Sequence, residues 1–127
     1  MPQFLTQAWA DEATAAANGS DAVRGAIAGV DLTIQQVVTG GPSGEVRYWT
    51  KLQADAVTIA IGEAPEADIT FVQDYETAVA SNRGELGPQA AFMQGKLKIT
   101  GNMGRMLKNQ DAVSALQPVL AGLPTDY

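Results

Sequence analysis

The sequence predicts an α+β domain, and three observations carry that prediction. Apolar residues recur at helical spacing toward both ends of the chain. Apolar and polar residues alternate with period two through the middle, and one further alternating segment sits between helical stretches near the C-terminus. At 127 residues the chain suits one unit spanning 1–127, long enough to bury a real core. With 46% hydrophobic and 17% charged residues it is too apolar for disorder.

From Gln3 to about Ala17 the chain is rich in alanine, and Phe4, Leu5, Ala8, Trp9, Ala13 and Ala16 fall at helical spacing. Asn18-Gly19 supplies the stop. A second short helix runs from Asp21, the expected N-cap, toward Ile27 and ends at Gly29. Strands begin at Asp31. "DLTIQQVVTG" puts Leu32, Ile34 and Val38 on one face, "GPSG" at 41–44 is a turn, and "EVRYWTKLQ" follows. In "AVTIAIG", Val57, Ile59 and Ile61 alternate with Thr58 and Ala60, and "ADITFV" adds Ile69 and Phe71. Short turns between successive strands make an antiparallel meander the simplest arrangement.

Asp74 caps the next expected helix, "YETAVASN", which stops near Gly84, and "GPQAAFMQG" forms a helical turn after Pro88. "GKLKITG" returns to period two, with Leu97 and Ile99 opposite Lys96, Lys98 and Thr100. Asn102 caps a helix whose Met103, Met106 and Leu107 lie at i, i+3 and i+4. The last helical segment, after Asp111, carries Val113, Leu116 and Leu120 and ends at Gly122 ahead of Pro124.

Composition narrows the chemistry. The chain has no cysteine and no histidine, which excludes disulfides, thiolate nucleophiles, Ser-His-Asp triads and the commonest transition-metal ligands. The carboxylates at Asp11-Glu12, Glu63-Glu66-Asp68 and Asp74-Glu76 sit in polar turns and helix starts, where acids serve capping rather than proton transfer. The serines have no base to activate them. The glycines at 40, 41 and 44 and at 101 and 104 form neither a dinucleotide fingerprint nor a P-loop. No catalytic residue, metal site or cofactor is expected.

A net charge of -6 argues against nucleic-acid binding, which needs clustered lysine and arginine. The charge is uneven, about -8 up to residue 86 and +2 beyond it. The basic end reads as solvated lysines, or as a rim facing an anionic head group or membrane. The N-terminus lacks the pattern of a signal peptide, no run approaches transmembrane length, and the C-terminal "PTDY" is no peroxisomal tripeptide, so a soluble, cytoplasmic protein is expected. Apolar residues crowd the last third of the chain. On spacing alone they read as ordinary core, with the methionines able to line an irregular gap.

One stretch is more specific. "GPQAAFMQGKLKITGNMGRMLK", from Gly87 to Lys108, resembles the signature of the sterol carrier protein type two (SCP2) domain family. The likeness rests on its Pro-Gln, a Phe ahead of Gly-Lys-Leu-Lys-Ile, and a Gly-Asn-Met-Gly helix entry. "ADITFVQDYETAVASNRGEL" is similar to the acidic strand, helix and glycine turn that precede it in that family. The resemblance implies a five-stranded, mostly antiparallel sheet covered on one face by helices, with an apolar lipid tunnel between them. It further implies non-enzymatic binding and transfer of fatty acids, fatty acyl-CoA, sterols or phospholipids, with no cofactor and with transient membrane contact. A monomer is expected. An accessory module of the same fold, docking on a partner enzyme without lipid, is the alternative.

Carried onto this chain, the resemblance and the alternation together nominate Phe92, Met93, Met103, Met106, Leu107, Leu116 and Leu120 from the helices as tunnel residues. The strands contribute Ile34, Tyr48, Ile59 and Phe71. Gln94 and Gln110 are candidates for a polar contact, and Arg105 and Lys108 for a head group.

Overall fold

The computed structural model describes residues 2–42, 44–53 and 55–127; Ser43, inside the expected turn at 41–44, lies outside them. In chain order the elements are α1 (Gln7–Asn18), α2 (Asp21–Ile27), β1 (Leu32–Gly41), β2 (Gly44–Gln53), β3 (Ala56–Ile61), β4 (Ile69–Asp74), α3 (Tyr75–Asn82), α4 (Pro88–Met93), β5 (Leu97–Gly101), α5 (Met103–Lys108) and α6 (Gln110–Ala121). The strands form one five-stranded sheet in the order β3-β2-β1-β4-β5.

Local chemistry sets the helix boundaries. α1 begins later than its apolar spacing suggests, because Leu5 takes a left-handed φ of 64° and the Thr6 side chain accepts from the Trp9 N–H as the cap. Ser20, not Asp21, caps α2, accepting from Val23 N–H, while Asp21 pairs with Arg24 on the surface. Asp74 caps α3 by accepting from Thr77 N–H at 2.8 Å, and hydrogen bonding from the Thr77 hydroxyl, then from that N–H, holds its carboxyl below the ordinary carboxylate range. Asn102 caps α5 in the same manner, accepting from Arg105 N–H.

β1, β2 and β3 form the expected antiparallel meander, but β4 does not continue it. β4 pairs with β1 in parallel, Ile34 opposite Ile69 and Thr39 opposite Asp74, and β5 then pairs antiparallel on β4. The connection from β3 to β4 therefore passes both β2 and β1. Polar side chains hold it down. Gln35 donates to the Gly62 carbonyl at 3.1 Å and accepts from Ala64 N–H at 2.7 Å, while the Asp68 carboxylate accepts from Thr33 N–H at 2.8 Å. Alternation shows which face of a strand is buried but not which edge its partner takes.

The outer edge of β3 is covered rather than free. Ile59 N–H donates to the Thr14 hydroxyl at 2.9 Å, and that hydroxyl lies 3.0 Å from the Ile59 carbonyl. One turn on along α1, the Asn18 amide accepts from Val57 N–H at 2.8 Å and donates to the Val57 carbonyl at 2.9 Å. An unpaired strand edge invites pairing with other chains, and α1 removes that hazard with two side chains. Asn18→Leu leaves two half-buried backbone groups without partners. We expect it to lower unfolding stability by about 1–3 kcal/mol, read from the midpoint of a urea titration.

The buried residues divide into two clusters. One joins α1, α2, α3 and α6 to β2 and β3 through Trp9, Val23, Ile27, Tyr48, Val57, Ile59 and Leu116. The other gathers Leu32, Ile34, Ile69, Phe71, Ala91, Leu97 and Met106 at the β4–β5 side. Among the described residues no helix is long and apolar enough to cross a membrane.

Candidate functional site

Where the two clusters meet, packing is incomplete. A cavity lies between the sheet and the helices, with about 80 Å³ open to the centre of a water-sized sphere. That is room for several waters, each needing about 10–15 Å³ by the same measure. Ile34, Tyr48, Ile59, Phe71 and Leu97 make its floor together with Gln36, Thr50 and Gln73. Trp9 of α1, Ala78, Ser81 and Asn82 of α3, and Ala91 of α4 form the walls. α6 roofs it with Val113, Leu116, Gln117 and Leu120. The helix is held there by packing on α1, α2 and α3, and by the Gln117 amide, which donates to the Ser81 and Leu86 carbonyls at 3.0 and 2.9 Å.

The sequence folds this way because inward positions repeat every second residue across paired strands. Gln36 on β1 stands between Tyr48 on β2 and Phe71 on β4, so three inward side chains share one row. Tyr48 is further fixed by Trp9, whose ring meets it edge to face at 5.4 Å, and Trp9 meets Phe4 in the same way at 5.0 Å. Burial pushes the Tyr48 phenol well above its ordinary pKa, so it remains a neutral hydroxyl at any working pH. Among the described residues that line the cavity none carries a formal charge. The site offers apolar walls and neutral hydrogen-bonding groups, a combination suited to holding a largely apolar molecule and not to moving protons.

The strand residues nominated from sequence, Ile34, Tyr48, Ile59 and Phe71, all line this cavity, as do Leu116 and Leu120 of α6. The other helical candidates stand elsewhere. Phe92, Met93, Met103 and Leu107 are 46%, 86%, 37% and 65% exposed, on the outside of the α4–β5–α5 edge. Met106 is buried among Ile34, Ile69 and Phe71, and with Gln110 it lines a neighbouring recess of about 140 Å³ between α4 and α6, which shares Val113 and Gln117 with the cavity. α4 and α5 have six residues each, too few to bury more than one or two inward positions; Ala91 and Met106 take those places.

The polar candidates are displaced for similar reasons. Gln94 is the exposed C-cap of α4. Arg105 is tied to the Asp68 carboxylate at 2.8 Å and borders a recess on the other side of the sheet, with Thr33, Trp49 and Lys51. Lys108 is exposed at the end of α5. None of the four, Gln110 included, lines the cavity.

Sequence reasoning passed over Gln36, Thr50 and Gln73. Their signal was available: each occupies an inward position of the alternation that places Ile34, Tyr48 and Phe71. A polar residue at an inward position is the informative exception to such a pattern.

Comparison with known proteins supplies a context. A model described as the SCP-2 sterol transfer family matches residues 8–114. Sterol carrier protein 2 of Gallus gallus is 36% identical over 87 residues, covering 68% of this chain and 16% of that protein, so the chain spans about a sixth of that relative's length. A crystal structure of sterol carrier protein 2 superposes with a TM-score of 0.82 at 25% identity, covering 96% of this chain and all of the other. The solution structure of sterol carrier protein domain 2 of Helicoverpa armigera gives 0.69 at 26% identity, over 98% and 94% of the two chains.

Proposed function

Because this chain belongs to the SCP-2 sterol transfer family, we propose that it binds a lipid beneath α6 and carries it between membranes without catalysing a reaction on it. The observation that carries this reading is the uncharged cavity at the seam of the two core clusters. A fully packed core would leave no such space, since protein interiors close to crystal-like density.

Magnitudes support a carrier rather than a tight receptor. Burying fifteen methylenes at about 0.8 kcal/mol each gives roughly 12 kcal/mol of gross gain over water, before ordering costs. Leaving a bilayer forfeits nearly the same amount, so exchange runs close to balance. Apolar walls also discriminate weakly among chains of similar size. Fatty acids, acyl-CoA, sterols and phospholipids all fall within the class proposed. The cavity as it stands has room for only several waters, so entry of a long lipid requires α6 to move outward, and its packing on other helices permits that without breaking the sheet.

The test is transfer of a fluorescent lipid from donor to acceptor vesicles. A rate that rises with protein concentration above the spontaneous rate supports the reading. A rate independent of protein concentration overturns it and favours the accessory-module alternative.

A further inference from the structure

Resting on that lipid-binding reading, we propose that Gln36 and Gln73 form an amide pair on the cavity floor that receives a neutral oxygen, hydroxyl or carbonyl, of the bound lipid. The Gln73 amide donates to the Gln36 side-chain carbonyl at 3.0 Å. That one bond leaves the Gln36 amide N–H₂ and the Gln73 side-chain carbonyl without protein partners among the described residues. Gln73 is only 8% exposed, and both side chains line the cavity. The pair thus presents a donor and an acceptor side by side at the middle of the sheet, which matches a hydroxyl, able to do both, or a carbonyl, able to accept.

The surroundings repeat the demand. Trp9, fully buried in the α1 wall, has an indole N–H with no hydrogen-bond partner. Thr50 is buried on the same floor. Among the described residues only the Trp9 indole N–H is a buried side-chain polar atom without a partner, an exception to the rule that buried polar groups in native proteins are hydrogen-bonded. Among the described residues no lysine or arginine lines the space. An ionised carboxylate placed there would lose its hydration without gaining a counter-charge. The floor therefore selects alcohols, ketones and esters over ionised acids.

The test compares dodecan-1-ol, dodecane and dodecanoate at pH 8, by displacement of the neutral fluorescent probe N-phenyl-1-naphthylamine. It uses the wild-type protein and the near-isosteric variant Gln36→Leu/Gln73→Leu. We expect the variant to lose about tenfold or more in affinity for the alcohol while its affinity for the alkane is unchanged or higher. The wild type is expected to bind the alcohol at least tenfold more tightly than dodecanoate. A variant that weakens alcohol and alkane equally, or a wild type that prefers dodecanoate, overturns the assignment.

A second measurement needs no variant. On adding dodecan-1-ol to ¹⁵N-labelled wild-type protein, the Gln36 side-chain N–H₂ resonances should shift, and on adding dodecane they should shift less. Equal shifts contradict the pair's role. In each of these failures dodecane still displaces the probe, so lipid binding stands and only the amide pair falls; if none of the three ligands displaces the probe and none shifts a cavity resonance, the lipid reading itself fails.

Discussion

Leu116→Trp is expected to weaken lipid binding at least tenfold while leaving the domain folded. Leu116 is buried on the inner face of α6, directly in the cavity roof above a floor that includes Ile34 and Phe71. An indole at that position occupies the small space a lipid needs to begin displacing the roof. Inserting extra carbons into a well-packed core costs about 1–3 kcal/mol, and a partly empty site sits at the lower end of that range. Ordinary domain stability is about 5–15 kcal/mol, so the variant should still fold. Displacement of N-phenyl-1-naphthylamine, read beside the circular-dichroism melt, separates the outcomes. Retained binding with a retained melt places the ligand somewhere other than under α6.

Gly101→Ala is expected to lower stability by about 3 kcal/mol or more. Gly101 ends β5 opposite Ile69 with φ +108°, a backbone region that side-chain-bearing residues rarely occupy. An added Cβ would lie 2.4 Å from the Asp68 carbonyl oxygen and 3.0 Å from the Ile69 Cα. Both are backbone atoms, fixed on one side by the Asp68–Thr33 hydrogen bonds and on the other by Asn102 N–H, which donates to that carbonyl. Gly25 makes the opposite case. It lies exposed within α2, a Cβ there meets nothing within 4 Å, and Gly25→Ala should raise stability by about 0.5–1 kcal/mol. Urea midpoints of the two variants should move in opposite directions.

Much of the fold was legible because its signals are local. Asp74 and Asn102 announce their helices through a side chain that can accept from the third N–H onward, and the inward strand residues declare themselves every second position. The parallel pairing of β4 with β1 was not legible. It depends on Gln35 and Asp68, whose partners lie 27 to 35 residues away. The family resemblance brought in the five-stranded sheet, while Phe92, Met93, Met103 and Leu107, nominated on α4 and α5, stand exposed away from the cavity. Met103, Met106 and Leu107 share a helical stripe, but only Met106 is buried in the core, because so short a helix at the sheet edge turns a single position inward. Gln36 and Gln73 were missed for the opposite reason, being polar where only apolar residues were sought.

A carrier of this kind must hold a lipid in the space beneath α6. Native mass spectrometry of the protein after incubation with mixed-lipid vesicles measures this. A species heavier than the bare chain by one lipid, lost on denaturation and much reduced in Leu116→Trp, is the expected result. A spectrum containing only the bare chain would contradict it.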